Sequence, residues 1–235
     1  MEHFVLKNRF FLIPQMIFAL VSSFFLMVFT KSEIHILLNS YNSQILDFFF
    51  KLVTNLGNGF LYIAVVPFLL TRKLKWVLVF IIAVVISNLF LFMLKHVLFD
   101  GMYRPAKYFE LYETYRLHLV KGVKLHDLNS FPSGHTTTAF TIFMMLTMLT
   151  RKNIVKLSLF LLAFLTAYSR VYLSQHFLID IVAGSVIGSG SVILATVFSE
   201  RFKKSQMEKT LIILPKRIRR EERSYTEKSP GIVVS

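Results

Sequence analysis

The run FFLIPQMIFALVSSFFLMVFT, residues 10–30, decides the fold class because it is long, apolar and free of charged side chains. A helix needs roughly 20 apolar residues to cross the hydrocarbon core of a bilayer, which is about 30 Å thick. Further apolar runs follow along the chain, at residues 46–70, 74–94, 136–150, 154–169 and 177–199. The sequence therefore predicts an all-α, polytopic membrane protein with about six transmembrane helices.

The composition agrees with a membrane protein. Of the 235 residues, 54% are hydrophobic and 17% are charged, whereas soluble domains average about 25% charged residues. Buried helices of a soluble protein, the alternative to membrane spans, would need a polar shell that this chain lacks. The absence of cysteine excludes a disulfide scaffold and a thiolate metal site. The net charge of +14 does not require a nucleic-acid partner, because membrane orientation already explains basic loops.

The basic residues test the order of the spans, because short loops rich in Lys and Arg stay in the cytoplasm. Six spans put every basic cluster on one side: Lys7 and Arg9; Arg72, Lys73 and Lys75; Arg151, Lys152 and Lys156; Arg201, Lys203 and Lys204. Both termini are then predicted to be cytoplasmic, and segments 31–56, 95–135 and 170–176 to face the outer side of a bacterial inner membrane. A cleaved signal peptide is the alternative for the first run, which has no small-residue cleavage site.

The chain is predicted to divide into parts with different roles. Residues 1–30 hold the N-terminal region and the first span. Residues 31–56 mix Leu and Phe with polar residues, as expected of an interfacial segment that lies on the outer leaflet. Residues 57–199 form the predicted catalytic core. Residues 200–235 are a basic cytoplasmic tail, predicted to be partly disordered; contact with anionic lipid is its alternative role.

Polar segments occur at three places where an apolar run meets the outer face. The third of them, SRVYLSQHFLID at 169–180, places His176 and Asp180 four residues apart at a helix start, where they share one face. The carboxylate would accept a hydrogen bond from one imidazole nitrogen and leave the other nitrogen free to attack an electrophile. A structural hydrogen bond that caps the helix is the alternative for this pair alone.

The second segment, FPSGH at 131–135, predicts an anion site at a helix N-terminus. Pro132 suits the first helical turn, and Gly134 lets a ligand approach the backbone. The backbone N–H groups of Ser133, Gly134 and His135 would point at an anion. His135 would also give a proton to a leaving oxygen. An ordinary helix start is the alternative for this segment.

The first segment, KHVLFDGMYRP at 95–105, adds cations to this end of the predicted bundle. Lys95, Arg104 and Arg170 would surround the same point, and guanidinium groups match phosphate oxygens in a bidentate way. Cations, histidines and a helix N-terminus together suit a phosphoryl group. They do not suit Mg²⁺ chemistry, because Asp180 is the one well-placed carboxylate and is already assigned to His176.

These segments resemble the signature of the type 2 phosphatidic acid phosphatase (PAP2) superfamily, which also includes the vanadium haloperoxidases. The pattern S-R-x5-H-x3-D matches in full from Ser169 to Asp180, and P-S-G-H matches in full from Pro132 to His135. The resemblance covers about residues 50–200 and implies a PAP2-like helical bundle.

The first segment departs from the family pattern, which usually places a Lys seven residues before the Arg of R-P. Val97 occupies that position here, and Lys95 precedes the arginine by nine residues. Lys95 fits only if two extra residues loop out, and Asp100-Gly101 is the predicted place for that loop. His96 and Lys107 are the rivals for the lysine role.

The resemblance implies an integral-membrane lipid phosphatase that needs neither metal nor cofactor. His176 would attack phosphorus to form a phosphohistidine, with Asp180 orienting it. His135 would protonate the leaving group and then activate water. The phosphoryl oxygens would be held by Lys95, Arg104, Ser133, Gly134 and Arg170.

The predicted partners are membrane lipids and a phosphorylated lipid substrate, such as undecaprenyl pyrophosphate, phosphatidic acid, phosphatidylglycerol phosphate or lipid A. A phosphotransferase and a non-catalytic lipid-binding or transport protein are the alternatives. Segment 106–130 either shapes the choice of headgroup or is a solvated loop. Close helix packing is predicted at Gly184 and Gly188. Four histidines have no partner that spacing identifies and are predicted to lie at the surface or the interface: His3, His35, His118 and His126.

Overall fold

The computed structural model describes residues 2–199, with side chains from Phe4 onward, and these residues are helical apart from their connections. The helices are α1 (Glu2–Lys7), α2 (Arg9–Val28), α3 (Lys31–Ser40), α4 (Gln44–Val53), α5 (Phe60–Leu70), α6 (Leu74–Met93), α7 (Pro105–Tyr112), α8 (Gly134–Leu149), α9 (Asn153–Tyr172) and α10 (Leu178–Ser199). A 3₁₀ turn, Thr54–Gly57, follows α4, and a π-helical turn, Leu94–Leu98, continues α6. The all-α prediction is confirmed.

Four helices within residues 2–199 are long and apolar enough to cross a bilayer: α2, α6 with its π-helical turn, α9 and α10. A fifth span exists if α4, the 3₁₀ turn and α5 count as one, although Gln44–Gly57 and Phe60–Leu70 are bent by 60°. The predicted second run is therefore a broken helix rather than a straight one. The multi-pass membrane fold is confirmed, with four or five candidate spans where the sequence predicted about six.

The remaining predicted span, α8, differs from the others in length and in environment. It has 16 residues, and at 1.5 Å per residue it is about 24 Å long, shorter than the bilayer core. Twelve of its residues are buried, because α6, α9 and α10 pack around it. It is the central helix of the bundle, and its hydrophobic residues cover its neighbours instead of meeting lipid.

The packing of α10 against α8 depends on glycine, as the sequence predicted. A Cβ added at Gly184 would lie 2.8 Å from the carbonyl oxygen of Ser133. One added at Gly188 would lie 2.5 Å from the carbonyl oxygen of Thr137. The two backbones therefore approach closely at the level where α8 begins, and this contact holds α8 against the start of α10.

Segment 31–56 forms two helices, α3 and α4, where one interfacial helix was predicted. Thr30 and Glu33 form a capping box at the start of α3. The side chains of Ile34, His35 and Asn39 are buried, since α3 packs on α9 and α10. Its place on the outer leaflet stays a prediction. The predicted basic tail, residues 200–235, lies outside the described residues.

Candidate active site

The polar segments of the sequence meet in one cavity of about 730 Å³ at one end of the bundle. The π-helical turn after α6, the start of α8, the end of α9 and the residues just before α10 contribute to its wall. Six of the eight predicted site residues line it: Lys95, Arg104, Gly134, His135, Arg170 and His176. Residues from distant parts of the chain therefore form a single concave site, the arrangement typical of an enzyme pocket.

His176 and Asp180 form the predicted pair at the base of this cavity. Nδ1 of His176 lies 3.3 Å from Oδ2 of Asp180, and both side chains are almost completely buried. The same carboxylate oxygen accepts a 2.5 Å hydrogen bond from the hydroxyl of Ser130 and a 2.9 Å hydrogen bond from the backbone N–H of Phe177. These contacts fix Asp180, which in turn orients the imidazole.

The other imidazole nitrogen, Nε2, faces the cations of the cavity. It lies 3.4 Å from a terminal nitrogen of Arg104. Burial lowers the pKa of His176 well below its usual value, and the positive charges of Arg104, Arg170 and Lys95 lower it further. The ring is therefore neutral at physiological pH, and Nε2 has a lone pair directed into the cavity.

One neutral amide connects the two arginines. Oε1 of Gln175 accepts hydrogen bonds from Arg104 over 3.3 Å and from Arg170 over 3.4 Å. A second donor of Arg170 bonds the hydroxyl of Thr54 over 2.6 Å. Nε of Arg170 is buried without a partner. Both guanidinium groups are thus held in place while keeping their full charge and at least one donor for a ligand.

Lys95 occupies the place predicted for the cavity lysine. It lines the cavity, and its Nζ donates to the carbonyl oxygen of Asn129 over 2.7 Å. Lys95 lies in the π-helical turn, and the predicted loop at Asp100-Gly101 is a turn in which Gly101 has φ +74°. The two rivals lie elsewhere: the His96 ring packs against Phe92, and Lys107 pairs with Glu110 at 3.1 Å.

The start of α8 differs in detail from the predicted anion site. The backbone N–H of Ser133 donates to the carbonyl oxygen of Asp180 over 3.0 Å, so it does not point at the cavity. The Ser133 hydroxyl caps α8 by accepting from the backbone N–H of Thr136. Gly134 and His135 line the cavity. Phosphate binding by Gly134 stays a prediction, and Ser133 is placed as the helix cap that positions it.

Comparison with known proteins identifies the family. The model of the PAP2 superfamily matches residues 74–204, which is more than half of the chain. The chain belongs to the PAP2 superfamily. A solved structure of LpxE from Aquifex aeolicus is similar, with 30% identity and a TM-score of 0.61 over 70% of this chain and 93% of that one.

Two further proteins resemble this PAP2 chain. A PAP2-type phosphatidylglycerolphosphate phosphatase from Bacillus subtilis shares the fold, with 21% identity and a TM-score of 0.54 over 85% of this chain and 98% of that one. A lipid A 4'-phosphatase from Bacteroides thetaiotaomicron is 40% identical over 58 residues. That match covers 25% of this chain and 26% of the relative, so this chain matches about a quarter of that protein's length.

The PAP2 cavity also contains residues that the sequence analysis missed. Gln175 and Thr54 hold the arginines, Ser130 holds Asp180, and a Cβ added at Gly57 would lie 2.7 Å from the Cβ of His135. Gln175 and Ser130 adjoin the family motifs, and this closeness along the chain was the one sign in the sequence that they belong to the site. Thr54 and Gly57 lie outside those motifs and reach the site only because the 3₁₀ turn packs on α8 and α9.

Two histidines predicted at the surface or interface have partners instead. His35 is buried between Phe109 and Phe177, and its Nε2 lies 3.2 Å from the Ser174 hydroxyl. His118 lies 2.9 Å from a carboxylate oxygen of Asp47. Both pairs join residues more than 70 positions apart, which is why spacing along the chain could not reveal them.

His126 and His3 complete the set of four. His126 is exposed, as predicted, yet it lines the same cavity as the predicted site residues. The side chain of His3 lies outside the described residues.

Proposed function

We propose that this PAP2 protein removes a phosphate from a membrane lipid through a phosphohistidine formed on His176. One observation carries the proposal: Nε2 of a neutral, buried histidine, oriented by Asp180 through Nδ1, faces a cavity lined by Lys95, Arg104 and Arg170. A histidine held in this way is a competent nucleophile. Three surrounding cations are suited to the negative charge that builds up on phosphoryl oxygens.

The reaction then has two steps. In the first, the lone pair of Nε2 forms a bond to phosphorus while the bond between phosphorus and the lipid oxygen breaks. His135, which lines the same cavity, takes up a proton when the negatively charged phosphate binds and offsets the surrounding cations, and it donates that proton to the lipid oxygen. Asp180 stabilises the positively charged phosphoimidazole. In the second, His135 takes a proton from water, the water oxygen bonds to phosphorus, and the bond to Nε2 breaks.

The substrate class follows from the position of the site and from the relatives. The cavity opens at one end of helices that are long enough to cross a membrane, so a lipid reaches it by diffusing within one leaflet. The relatives include proteins described as a lipid A 4'-phosphatase and a phosphatidylglycerolphosphate phosphatase. The candidates are therefore lipid A, phosphatidylglycerol phosphate, phosphatidic acid and undecaprenyl pyrophosphate.

The test is phosphate release by detergent-purified protein, with EDTA present and these four lipids side by side. His176→Ala is expected to abolish release, and His135→Ala and Asp180→Asn to reduce it by about a hundredfold or more. His96→Ala is the matched control, since His96 packs on Phe92 nearby but does not line the cavity. Because EDTA is present, release by the wild-type protein also tests metal independence.

Other outcomes point to the alternatives. Release that survives His176→Ala in folded protein would overturn the proposal. A phosphorylated alcohol that accumulates in excess of free phosphate would indicate a phosphotransferase, in which an alcohol replaces water in the second step. Tight binding of a lipid without turnover would indicate a binding or transport protein.

A further inference from the structure

The catalytic cavity is much larger than its catalytic residues require. Its volume is about 730 Å³, within the range of roughly 300–1,000 Å³ that holds a whole drug-sized ligand. A phosphoryl group held by His176 and the three cations would fill a small part of it. The rest of the space is available to the headgroup that carries the phosphate.

Part of the cavity wall comes from two stretches of the chain that lie outside the PAP2 motifs. One is α4 with its 3₁₀ turn, and the other is residues 113–130 of the connection between α7 and α8. The residues from these two stretches that line the cavity are Phe48, Lys51, Leu52, Thr54, Asn55, Gly122, Val123, Lys124 and His126. We call the three basic members, Lys51, Lys124 and His126, the distal cluster.

The first member of the distal cluster, Lys51, is held in position by the opposite loop. Its Nζ donates to the carbonyl oxygen of Lys121 over 3.0 Å. Gly122 has φ +76°, and a Cβ at this position would lie 2.9 Å from that Nζ. An ammonium group has three donors, so a ligand in the cavity can use the remaining ones.

The second member, Lys124, is attached to the catalytic centre through the backbone. Its carbonyl oxygen accepts a 3.0 Å hydrogen bond from the side-chain amide of Gln175, which also holds both arginines. Within the described residues, neither Lys51 nor Lys124 has a carboxylate within ion-pair distance. The nearby carboxylate, Asp47, is occupied by His118 and by the hydroxyl of Tyr172.

The third member, His126, lines the cavity two residues after Lys124. Partial burial lowers its pKa, the positive charges of Arg104, Lys124 and Arg170 lower it further, and the carboxylate of Asp127 raises it. The charges that act on the nucleophile His176, by contrast, are those of Arg104, Arg170 and Lys95. The distal cluster thus adds further basic side chains to the wall of the cavity that His176 lines.

We propose that the distal cluster is a second anion subsite, and that the preferred substrate is a lipid whose headgroup carries a further phosphate besides the one removed. This inference rests on the proposed function, because it places the reacting phosphate at His176. Unpaired lysines facing a cavity attract anions, and their hydrogen bonds to a phosphate are charge-assisted. A lipid with a single phosphate would leave Lys51 and Lys124 without a ligand.

The experiment compares lipids that differ in the second phosphate. One pair consists of bis-phosphorylated lipid A and a mono-phosphorylated lipid A. Of the two mono-phosphorylated forms, the one that the protein hydrolyses is used. The other pair is phosphatidylglycerol phosphate and phosphatidic acid with the same acyl chains. We expect kcat/KM to favour the member with two phosphates by about tenfold in at least one pair. In the double variant Lys51→Met, Lys124→Met, that ratio is expected to fall below about threefold.

The matched control is Lys121→Met, which removes a lysine from the same loop whose side chain does not line the cavity. It is expected to keep the wild-type ratio. If the double variant loses activity equally on both members of a pair, the lysines attract anions in general and the subsite is refuted. The subsite is also refuted if the wild-type protein hydrolyses both members equally, although the proposed function would then stand.

A binding measurement separates failure of the subsite from failure of the proposed function. Folded His176→Ala protein in nanodiscs is titrated with bis-phosphorylated and mono-phosphorylated lipid A. The subsite predicts tighter binding of the bis-phosphorylated form, and loss of that difference when Lys51→Met and Lys124→Met are added. If the wild-type protein hydrolyses no lipid but this difference is found, the proposed function fails and the subsite remains. Equal binding of both forms refutes the subsite.

Discussion

At the scale of single residues, the site depends on groups that hold charged side chains without neutralising them. Gln175 is the clearest case, since its one amide oxygen accepts hydrogen bonds from both Arg104 and Arg170. A carboxylate in the same place would form ion pairs with the arginines and compete with the substrate phosphate. An amide orients the guanidinium groups and leaves their charge for the ligand.

Gln175→Glu is therefore expected to raise KM about tenfold or more, because the new carboxylate pairs with the arginines that bind phosphate. Gln175→Met keeps the volume but removes the acceptor, and it is expected to lower kcat as well, because the arginines lose their alignment. Steady-state kinetics on the best lipid measures both parameters.

Gln44→Glu is the matched control for this substitution. Gln44 is an exposed residue in the first turn of α4 and does not line the cavity. The same added charge there should leave KM unchanged. If Gln175→Glu also leaves KM unchanged, Gln175 has no role in positioning the arginines.

Gly57 gives a second prediction at this scale. A Cβ at Gly57 would lie 2.7 Å from both the Cβ and the backbone oxygen of His135, so Gly57→Ala must displace the 3₁₀ turn or the start of α8. A displacement of about 1 Å at a catalytic group can cost about a hundredfold in rate. Gly57→Ala is expected to lower kcat by at least tenfold. At Gly59, two residues later, an added Cβ meets nothing within 4 Å, so Gly59→Ala should retain wild-type kcat.

The site residues that the sequence predicted and the ones that it missed differ in the kind of contact that brings them to the site. His176 and Asp180 are one helical turn apart, so local geometry alone brings them together. Gln175 and Thr54 act through contacts with Arg104 and Arg170, across 71 and 116 positions respectively. Such contacts exist only after the helices have packed, and no spacing in the sequence encodes them.

At the scale of secondary-structure elements, the active site is held by the packing of α10 on α8. The start of α8 provides Gly134 and His135, and the start of α10 provides Asp180. The backbone N–H of Ser133 donates to the carbonyl oxygen of Asp180, which joins the two helix starts directly. Small residues on α10 allow that approach, since Cβ atoms added at Gly184 and Gly188 would lie within 3 Å of backbone oxygens of Ser133 and Thr137.

Gly188→Ala tests this interface. The added Cβ would lie 2.5 Å from the Thr137 oxygen and 2.9 Å from the Cβ of Phe140, so the helices must separate. We expect a loss of stability of about 1–3 kcal/mol, in the range of overpacked cores, seen as a lower thermal midpoint in detergent. Gly190→Ala is the matched control on the same helix, because its added Cβ meets nothing within 4 Å. Equal midpoints for the two variants would contradict close packing at Gly188.

The length and burial of α8 explain why the structure has four or five candidate spans where the sequence predicted about six. The helix still joins the end of the bundle that holds the cavity to the end where α9 begins. Hydropathy recognised residues 136–150 as an apolar run, but it does not distinguish a helix surrounded by lipid from one surrounded by other helices. Both environments favour the same residue types. The threonines of α8 are buried with their hydroxyls satisfied, because Thr137, Thr141 and Thr147 each donate to the backbone carbonyl four residues earlier.

At the scale of the whole molecule, the bundle has two chemically different ends. The predicted site residues lie at the end where α6 and α9 finish and α8 and α10 begin: Lys95, Arg104, His135, Arg170 and His176. The connections before α6 and before α9 lie at the other end, and both are short and basic. Short basic connections stay in the cytoplasm, so we predict that the catalytic cavity faces the outer side of the membrane.

Single-cysteine labelling tests this orientation, and the chain suits the experiment because it contains no cysteine of its own. Thr114→Cys places a thiol in the exposed connection at the end that holds the cavity, and Asn153→Cys places one at the exposed first residue of α9, at the opposite end. In intact cells, a membrane-impermeant maleimide is expected to label Thr114→Cys and to leave Asn153→Cys unlabelled until the cells are lysed. Both substitutions keep every Lys and Arg, so the charges that set the orientation are unchanged. The reverse labelling pattern would place the cavity in the cytoplasm, and the substrate lipid would then have to be drawn from the inner leaflet.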